Sequence, residues 1–213
     1  MKRMLSMTLL TTLGTILTLT SNHAQEDRFR IRALEIEQNL HMLSSDPTQD
    51  GFRTGGNTGV FVTANGIVLV DTKIKGYGPD ILAEVRKISD KPITTIINTH
   101  THWDHSGSNV EFSDTINFVA HENTLTHMSQ RTCDDGAGFE GGSITNCESF
   151  QGDNKKYLPT TTFSAQHTLF SGADQIDLYY FGRGHTDGDI FVVFKNARTV
   201  QTGDMFARKG LPY

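Results

Sequence analysis

The stretch "NTHTHWDHSGSN", residues 98–109, sets His100, His102, Asp104 and His105 within six positions. It continues directly from "PITTIIN" (92–98), a short β-branched run that reads as a buried strand. Residues two apart in an extended segment point the same way, so His100 and His102 can offer two imidazoles to one point. Asp104 and His105 turn toward a neighbouring point as the chain bends into "SGSN". Imidazole and carboxylate are ligands that zinc accepts, usually three from the protein with one open position at a catalytic site. The cluster therefore supplies two half-sites and predicts two metals, each needing a further ligand from elsewhere in the chain.

Two later stretches carry suitable groups. "YYFGRGHTDGD" (179–189) sets His185 in a Gly-flanked turn after a strand, and "VQTGDMF" (200–206) sets Asp204 at the end of another. Both lie at strand C-terminal ends, where open α/β architectures gather their sites. Spacing alone does not assign them to the cluster.

Around these motifs the chain alternates strands and helices. "VFVTANGIVLVDT" (60–72) is two β-branched runs joined by Asn65-Gly66, a strong hairpin signal. "YGPDILAEVRKISD" (77–90) has Ile81, Val85 and Ile88 at helical spacing, with Pro79 suited to a first turn. "ALEIEQNLHMLSS" (33–45) fits either an edge strand or a short helix followed by a strand. "TINFVA" (115–120) reads as a strand and "ENTLTHMSQR" (122–131) as a helix, while "QIDLYYFG", "DIFVVFKN" and "RTVQTGDMF" supply later strands. The pattern is mixed α/β with helices layered on sheet. His121 and His127 are expected to cap or decorate the helix that follows them, and His23, His41 and His167 to lie on the surface. Trp103 can shape the substrate mouth or pack under the metal loop.

The motif "THTHWDHSGSN" closely resembles the HxHxDH signature of the metallo-β-lactamase superfamily. "GHT" at His185 and "TGD" at Asp204 resemble its later motifs in the right order, and Asp71 in "GIVLVDT" matches an aspartate that ends an early strand. The resemblance covers roughly residues 35 to 213. It implies an α/β fold of the αββα sandwich type, with a dinuclear zinc site along one edge of the sheets. One zinc would take His100, His102 and His185. The second would take Asp104 and His105, with Asp204 bridging the pair and Asp71 supporting the loop by hydrogen bonds. A hydroxide shared between the metals would attack a carbonyl, with Asp104 as the catalytic residue that orients it.

The family has a further histidine ligand beyond the bridging aspartate, and no histidine follows His185 before "RKGLPY" (208–213). The sequence thus looks like a partial member lacking the last strands and helix, with weak binding at the second metal. Antibiotic-hydrolysing members commonly carry cysteine or serine where Asp204 stands, whereas thioesterase and lactonase members carry a bridging aspartate. The motif also looks like the glyoxalase II version, but "GHTDGD" lacks that group's second histidine. The resemblance therefore implies a zinc-dependent hydrolase of an ester, lactone, thiolester or amide-type substrate. A class B-like β-lactamase, a non-catalytic metal-binding remnant and a membrane-tethered binding protein are the alternatives.

The remaining features bound the setting. A chain of 213 residues with ordinary apolar and charged fractions supports one sizeable domain. The formal net charge of -5 does not invite nucleic acid. A small-molecule substrate is expected. "MKRMLSMTLLTTLGTILTLTSNHAQED" (1–27) has two early positive charges, a short apolar stretch and then small polar residues, the three-part pattern of a secretory signal with cleavage after Ala24. The expected organisation is a signal peptide over 1–24 and a partial metallo-β-lactamase-like domain over 25–213, periplasmic or secreted, touching the membrane only through the signal segment. Cys133 and Cys147 flank a Gly-rich stretch. An oxidising compartment lets them pair, free thiols being the alternative. The substrate pocket is expected between "DGFRTGGNTG" (50–59) and this cysteine loop.

Overall fold

The computed structural model describes residues 29–46, 48, 54–133 and 145–206. The proposed signal segment and its cleavage site lie outside the described residues, as do 134–144 and 207–213.

Alternating and continuous apolar runs build two packed sheets. The larger has seven strands in sequential order: β1 (Ile31–Glu37), β2 (Leu40–Ser45), β3 (Thr58–Val62), β4 (Ile67–Val70), β5 (Ile93–Ile97), β6 (Asn117–His121) and β7 (Thr161–Phe163). The first four pair antiparallel and the last four parallel, because the helix Gly78–Ile88 carries the chain from β4 across to β5. The smaller sheet is an antiparallel meander of β8 (Gln166–Leu169), β9 (Ile176–Tyr179), β10 (Phe191–Phe194) and β11 (Thr199–Gln201).

The strand β4 is buried along its whole length, as expected for a strand covered on both faces. One face of the large sheet sends Leu43, Val60, Ile67, Leu69, Ile96 and Phe118 against Tyr77, Ile81 and Val85 of the helical layer. Its other face sends Phe61, Val68, Val70, Ile97 and Val119 against Ile176, Leu178, Ile190, Val192 and Phe194 around the smaller sheet. Helix, sheet and sheet thus stack in layers, the mixed α/β sandwich expected from the sequence.

Local differences have local causes. The ambiguous 33–45 stretch is a hairpin, β1 with β2, turning where Asn39 takes a left-handed φ of 66° that asparagine tolerates. The Asn65-Gly66 hairpin closes through Thr63–Gly66, with Thr63 N donating to Gly66 O at 2.8 Å. His41 and His167 are corrections: they are half-buried in β2 and β8 rather than surface residues, and His23 lies outside the described residues. His121 caps the helix Glu122–Met128 as expected, its Nδ1 accepting from Asn123 N at 3.1 Å. Cys133 and Cys147 are joined in a disulfide. Among the described residues no helix is long and apolar enough to cross a membrane.

Candidate metal centre

The parallel strands β4 and β5 end side by side, so the residues just beyond them meet. Asp71, following β4, is fully buried in a left-handed conformation, φ 62°, that turns its carboxylate under the neighbouring loop. There it accepts Thr99 N at 2.8 Å, Thr99 Oγ1 at 2.7 Å and His105 Nδ1 at 2.7 Å. Three bonds from one buried acid fix both ends of the histidine loop. Below it, Asn98 and Asn109 exchange side-chain amide bonds at 2.8 and 3.3 Å, and Thr72 Oγ1 donates to Asn109 Oδ1 at 2.8 Å. The loop passes through the short helix Trp103–Ser106, where Ser106 Oγ donates back to the carbonyls of Thr101 and His102. The disulfide-linked segment braces the outside: Thr101 Oγ1 donates to Thr145 O at 2.8 Å and Asn146 Nδ2 to Ser106 Oγ at 2.9 Å.

His185 arrives on the 182–189 loop after β9. Thr186 N and Oγ1 donate to the Asp189 carboxylate at 2.5 and 3.0 Å, which tightens that turn. The helix Glu122–Met128 grips it from the side, with Asn123 Nδ2 to Asp187 O at 2.7 Å, Thr124 Oγ1 to Gly188 O at 3.1 Å and His127 Nε2 beside Asp187 Oδ1 at 2.7 Å. Asp204 follows Gly203, whose φ is +53° and where a Cβ would meet Thr99 Oγ1 at 2.6 Å. Glycine there lets the last turn close against the histidine loop.

The predicted site residues converge. Donor atoms of His100, His102 and His185 lie within 4.8 Å of one another, and so do those of His100, His105 and Asp204. His102 Nδ1 faces His185 Nε2 at 3.0 Å. His105 Nε2 lies 3.0 Å from Asp204 Oδ1 and 3.7 Å from Asp104 Oδ2, and His185 Nε2 lies 3.6 Å from Asp204 Oδ2. Asp104 stands at the rim of the second group rather than within its tight cluster. The Nδ1 atoms of His100 and His105 are engaged by Thr99 and Asp71, which aims both Nε2 atoms inward. His100 Nε2 is buried with no hydrogen-bond partner, and His105 Nε2, without a well-directed hydrogen bond, faces only the Asp204 and Asp104 carboxylates. A buried polar atom left without a partner is costly, and a cation between these groups would complete the set.

Electrostatics match a cation site. Burial, reinforced by His105, His102 and His185, holds His100 well below the usual histidine range. Burial alone would also lower His105, but Asp71, Asp204 and Asp104 override it and hold it well above. Burial, with Asp204 and Asp71 nearby, raises Asp104 despite His105. For Asp204, burial pulls upward, yet His105, His185 and His102 together keep its carboxyl low. Zinc binds neutral imidazoles and ionised carboxylates, so His100 and Asp204 already favour the binding form, whereas the acids around His105 favour a positive charge there that an entering cation would replace.

A cavity of about 320 Å³ adjoins His105 and Asp204, with Met42, Val200 and Phe206 as apolar wall and His41, Asn57 and Gln201 as polar groups. Among the described residues one wall belongs to the Gly-rich stretch and the opposite one to β11 and the turn after it; residues 134–144 of the cysteine loop, the other wall expected from the sequence, lie outside the described residues. Sequence reasoning did not single out Thr99, Asp189, Gly56 or Lys73, whose roles rest on partners distant in the chain.

The model of the metallo-beta-lactamase superfamily matches residues 51–213. The metallo-beta-lactamase type 2 of Elizabethkingia meningoseptica is 22% identical over 178 residues, covering 81% of this chain and 61% of that protein. The chain thus spans about three-fifths of the length of this curated relative. The class B3 di-zinc metallo-beta-lactamase LRA-12, from an Alaskan soil metagenome, superposes with a TM-score of 0.60 at 18% identity, covering 81% of this chain and 61% of that one. DIM-1 metallo-beta-lactamase superposes with a TM-score of 0.59 at 19% identity, covering 88% and 77%.

Proposed function

The chain belongs to the metallo-beta-lactamase superfamily, and on that premise we propose that it is an exported hydrolase holding two zinc ions. The observation that carries this reading is the convergence of four imidazoles and Asp204 around two buried, undirected Nε2 atoms. His100, His102 and His185 would hold one ion. Asp104, His105 and Asp204 would hold the other, with Asp204 placed between His105 and His185 to serve both. LRA-12, a di-zinc protein of the same fold, supports zinc as the metal. Bound there, the ions supply a water ionised near neutral pH and Lewis acidity toward a carbonyl.

The chain's own residues do the rest. Asp71 accepts the proton-bearing Nδ1 of His105, fixing the ring's tautomer and leaving Nε2 to ligate. Thr99 performs the same service at His100 Nδ1. Asp104, at the rim of the second donor group, can accept a hydrogen bond from the attacking water and orient it. The cavity beside His105 and Asp204 accepts a substrate with an apolar body and a polar group.

Asp204 favours an ester, lactone or thiolester substrate, with amide-type bonds within the same chemistry. β-Lactam hydrolysis is the second reading, favoured by the relatives, which are metallo-beta-lactamases. Metal content per chain, measured for the parent, His100→Ala and Asp204→Ala, tests the site. About two zinc ions in the parent, falling in both variants, with turnover of one of lactones, thiolesters or β-lactams, is the expected result. Full zinc occupancy without turnover on any of these would point to a metal-binding protein without catalysis.

A further inference from the structure

Lys73 is fully buried, and the site as described makes no use of it. It follows Asp71 by two positions and is itself left-handed, φ 63°. A non-glycine residue in that conformation costs energy, and such strain gathers at functional sites. Burying an amine costs more again than burying the methionine or leucine that would fill the same space. Among the described residues no carboxylate lies at ion-pair distance from it.

Its side chain ends on the Thr54–Gly56 segment. Nζ donates to Gly56 O at 2.7 Å and reaches Thr54 Oγ1 at 3.4 Å, while Thr54 Oγ1 also meets Ser45 Oγ at 2.6 Å. That segment lies flat on the second half-site. Gly56 N donates to Asp104 O at 2.9 Å. A Cβ on Gly56 would sit 2.3 Å from His105 Cε1 and 2.7 Å from Nε2, and one on Gly55 would sit 2.5 Å from Asp104 O. The lysine backbone joins the same assembly, since Lys73 O accepts Gly107 N at 3.0 Å and the adjacent Thr72 N donates to His105 O at 2.7 Å.

We propose that Lys73 is a positioning residue for the second metal: it fastens the Thr54–Gly56 strap against the His105 ring, which is thereby held between the strap and Asp71 with Nε2 turned toward Asp204. Among the described residues no lysine-fastened strap covers the first half-site, so the effect of Lys73 falls on the second ion. Burial lowers the pKa of Lys73 to about 7 against the pull of Asp71. Charged or neutral, the amine keeps a hydrogen for the Gly56 carbonyl, so the fastening survives on either side of that pH. The inference rests on the two-metal reading above.

The test is a cobalt(II) titration of the full chain, following the absorption of each bound ion, for the parent, Lys73→Met and Thr54→Val. Lys73→Met is expected to weaken the second cobalt about 10- to 100-fold and leave the first within twofold, the range for lost outer-shell support of a ligand. A purely structural role would weaken both ions together. Lys73→Gln, which retains an N–H donor, is expected to recover part of the loss. Should Lys73→Met fail to fold, Thr54→Val keeps the lysine and removes one of its acceptors, and a several-fold loss at the second ion is expected. Second-ion affinity equal to the parent's in the folded variants overturns this inference alone. A parent that takes up no second cobalt overturns it together with the two-metal reading.

Discussion

His105 and His185 would serve adjacent metals, yet the fold holds them in opposite ways. His105 is 3% exposed, clamped at Nδ1 by a fully buried aspartate and covered by a glycine strap. His185 is 15% exposed on a loop whose grip comes from one helix side and from Asp189. The first ring is fixed by the core before any metal arrives. The second can adjust, and its position depends on a surface loop. Pre-organised ligands lose less freedom on binding, so the difference separates a rigid half-site from an adaptable one.

His100 breaks the comparison most severely, because it belongs to both donor groups. His100→Ala should abolish tight binding at the first site and weaken the second, leaving less than one zinc per chain by elemental analysis. A variant retaining both ions would show that the two groups are independent.

Lys73 sharpens the comparison through pH. Its pKa is lowered to about 7 in the folded chain by burial, against an ordinary value near 10.5. Between those values the unfolded chain binds the extra proton, so stability should rise with pH from about 7 toward 10, the stabilisation being lost as pH falls back through that window. Urea denaturation of the parent against Lys73→Met isolates this slope, since other groups titrate in both. The rise should vanish or reverse in the variant, because His105, whose raised pKa acts in the opposite direction, still titrates there; a rise that persists would mean that Lys73 is not its source.

Asp71→Ala removes the clamp itself. The variant should lose about 3 kcal/mol of stability, because Thr99 N, Thr99 Oγ1 and His105 Nδ1 are left buried together without their acceptor. Second-ion affinity should fall more than first-ion affinity, as read by the same cobalt titration. Equal losses would mean that its two bonds to Thr99 hold His100 as firmly as its direct bond holds His105.

What the sequence disclosed follows the range of the interactions. The β3–β4 hairpin, β5 and the helix Gly78–Ile88 were legible because periodicity and turn chemistry are local signals. The histidine cluster was picked out by its local spacing and His185 and Asp204 by resemblance to later family motifs; five of the six residues proposed as ligands fall in the two tight donor groups, and Asp104 stands outside them. The β1–β2 hairpin stayed ambiguous, as β1 is largely exposed, β2 is buried at only two positions, and only Asn39 marks the turn. The strands β7 and β8 are three and four residues long with mixed polarity, too short to show a period. Lys73 and Gly56 were illegible for another reason: 17 positions separate them, and nothing in either neighbourhood announces the other.

The smallest effect tests the adaptable side. His127 and Asp187 form a partly exposed pair, 28% and 42%, on the loop that carries His185. Such a pair contributes well under about 1 kcal/mol to folding, so His127→Ala should barely move a denaturation midpoint. Asn123 and Thr124 still hold the loop backbone through Asp187 O and Gly188 O. If His185 depends on its surface loop, the first cobalt should nonetheless bind a few-fold more weakly in His127→Ala, with the second unchanged. The two variants then form a cross: Lys73→Met acts on one ion from the core, and His127→Ala acts on the other from the surface. An unchanged first-ion affinity would mean that Asp189 and the helix contacts already fix His185, making both half-sites rigid and removing the asymmetry between them.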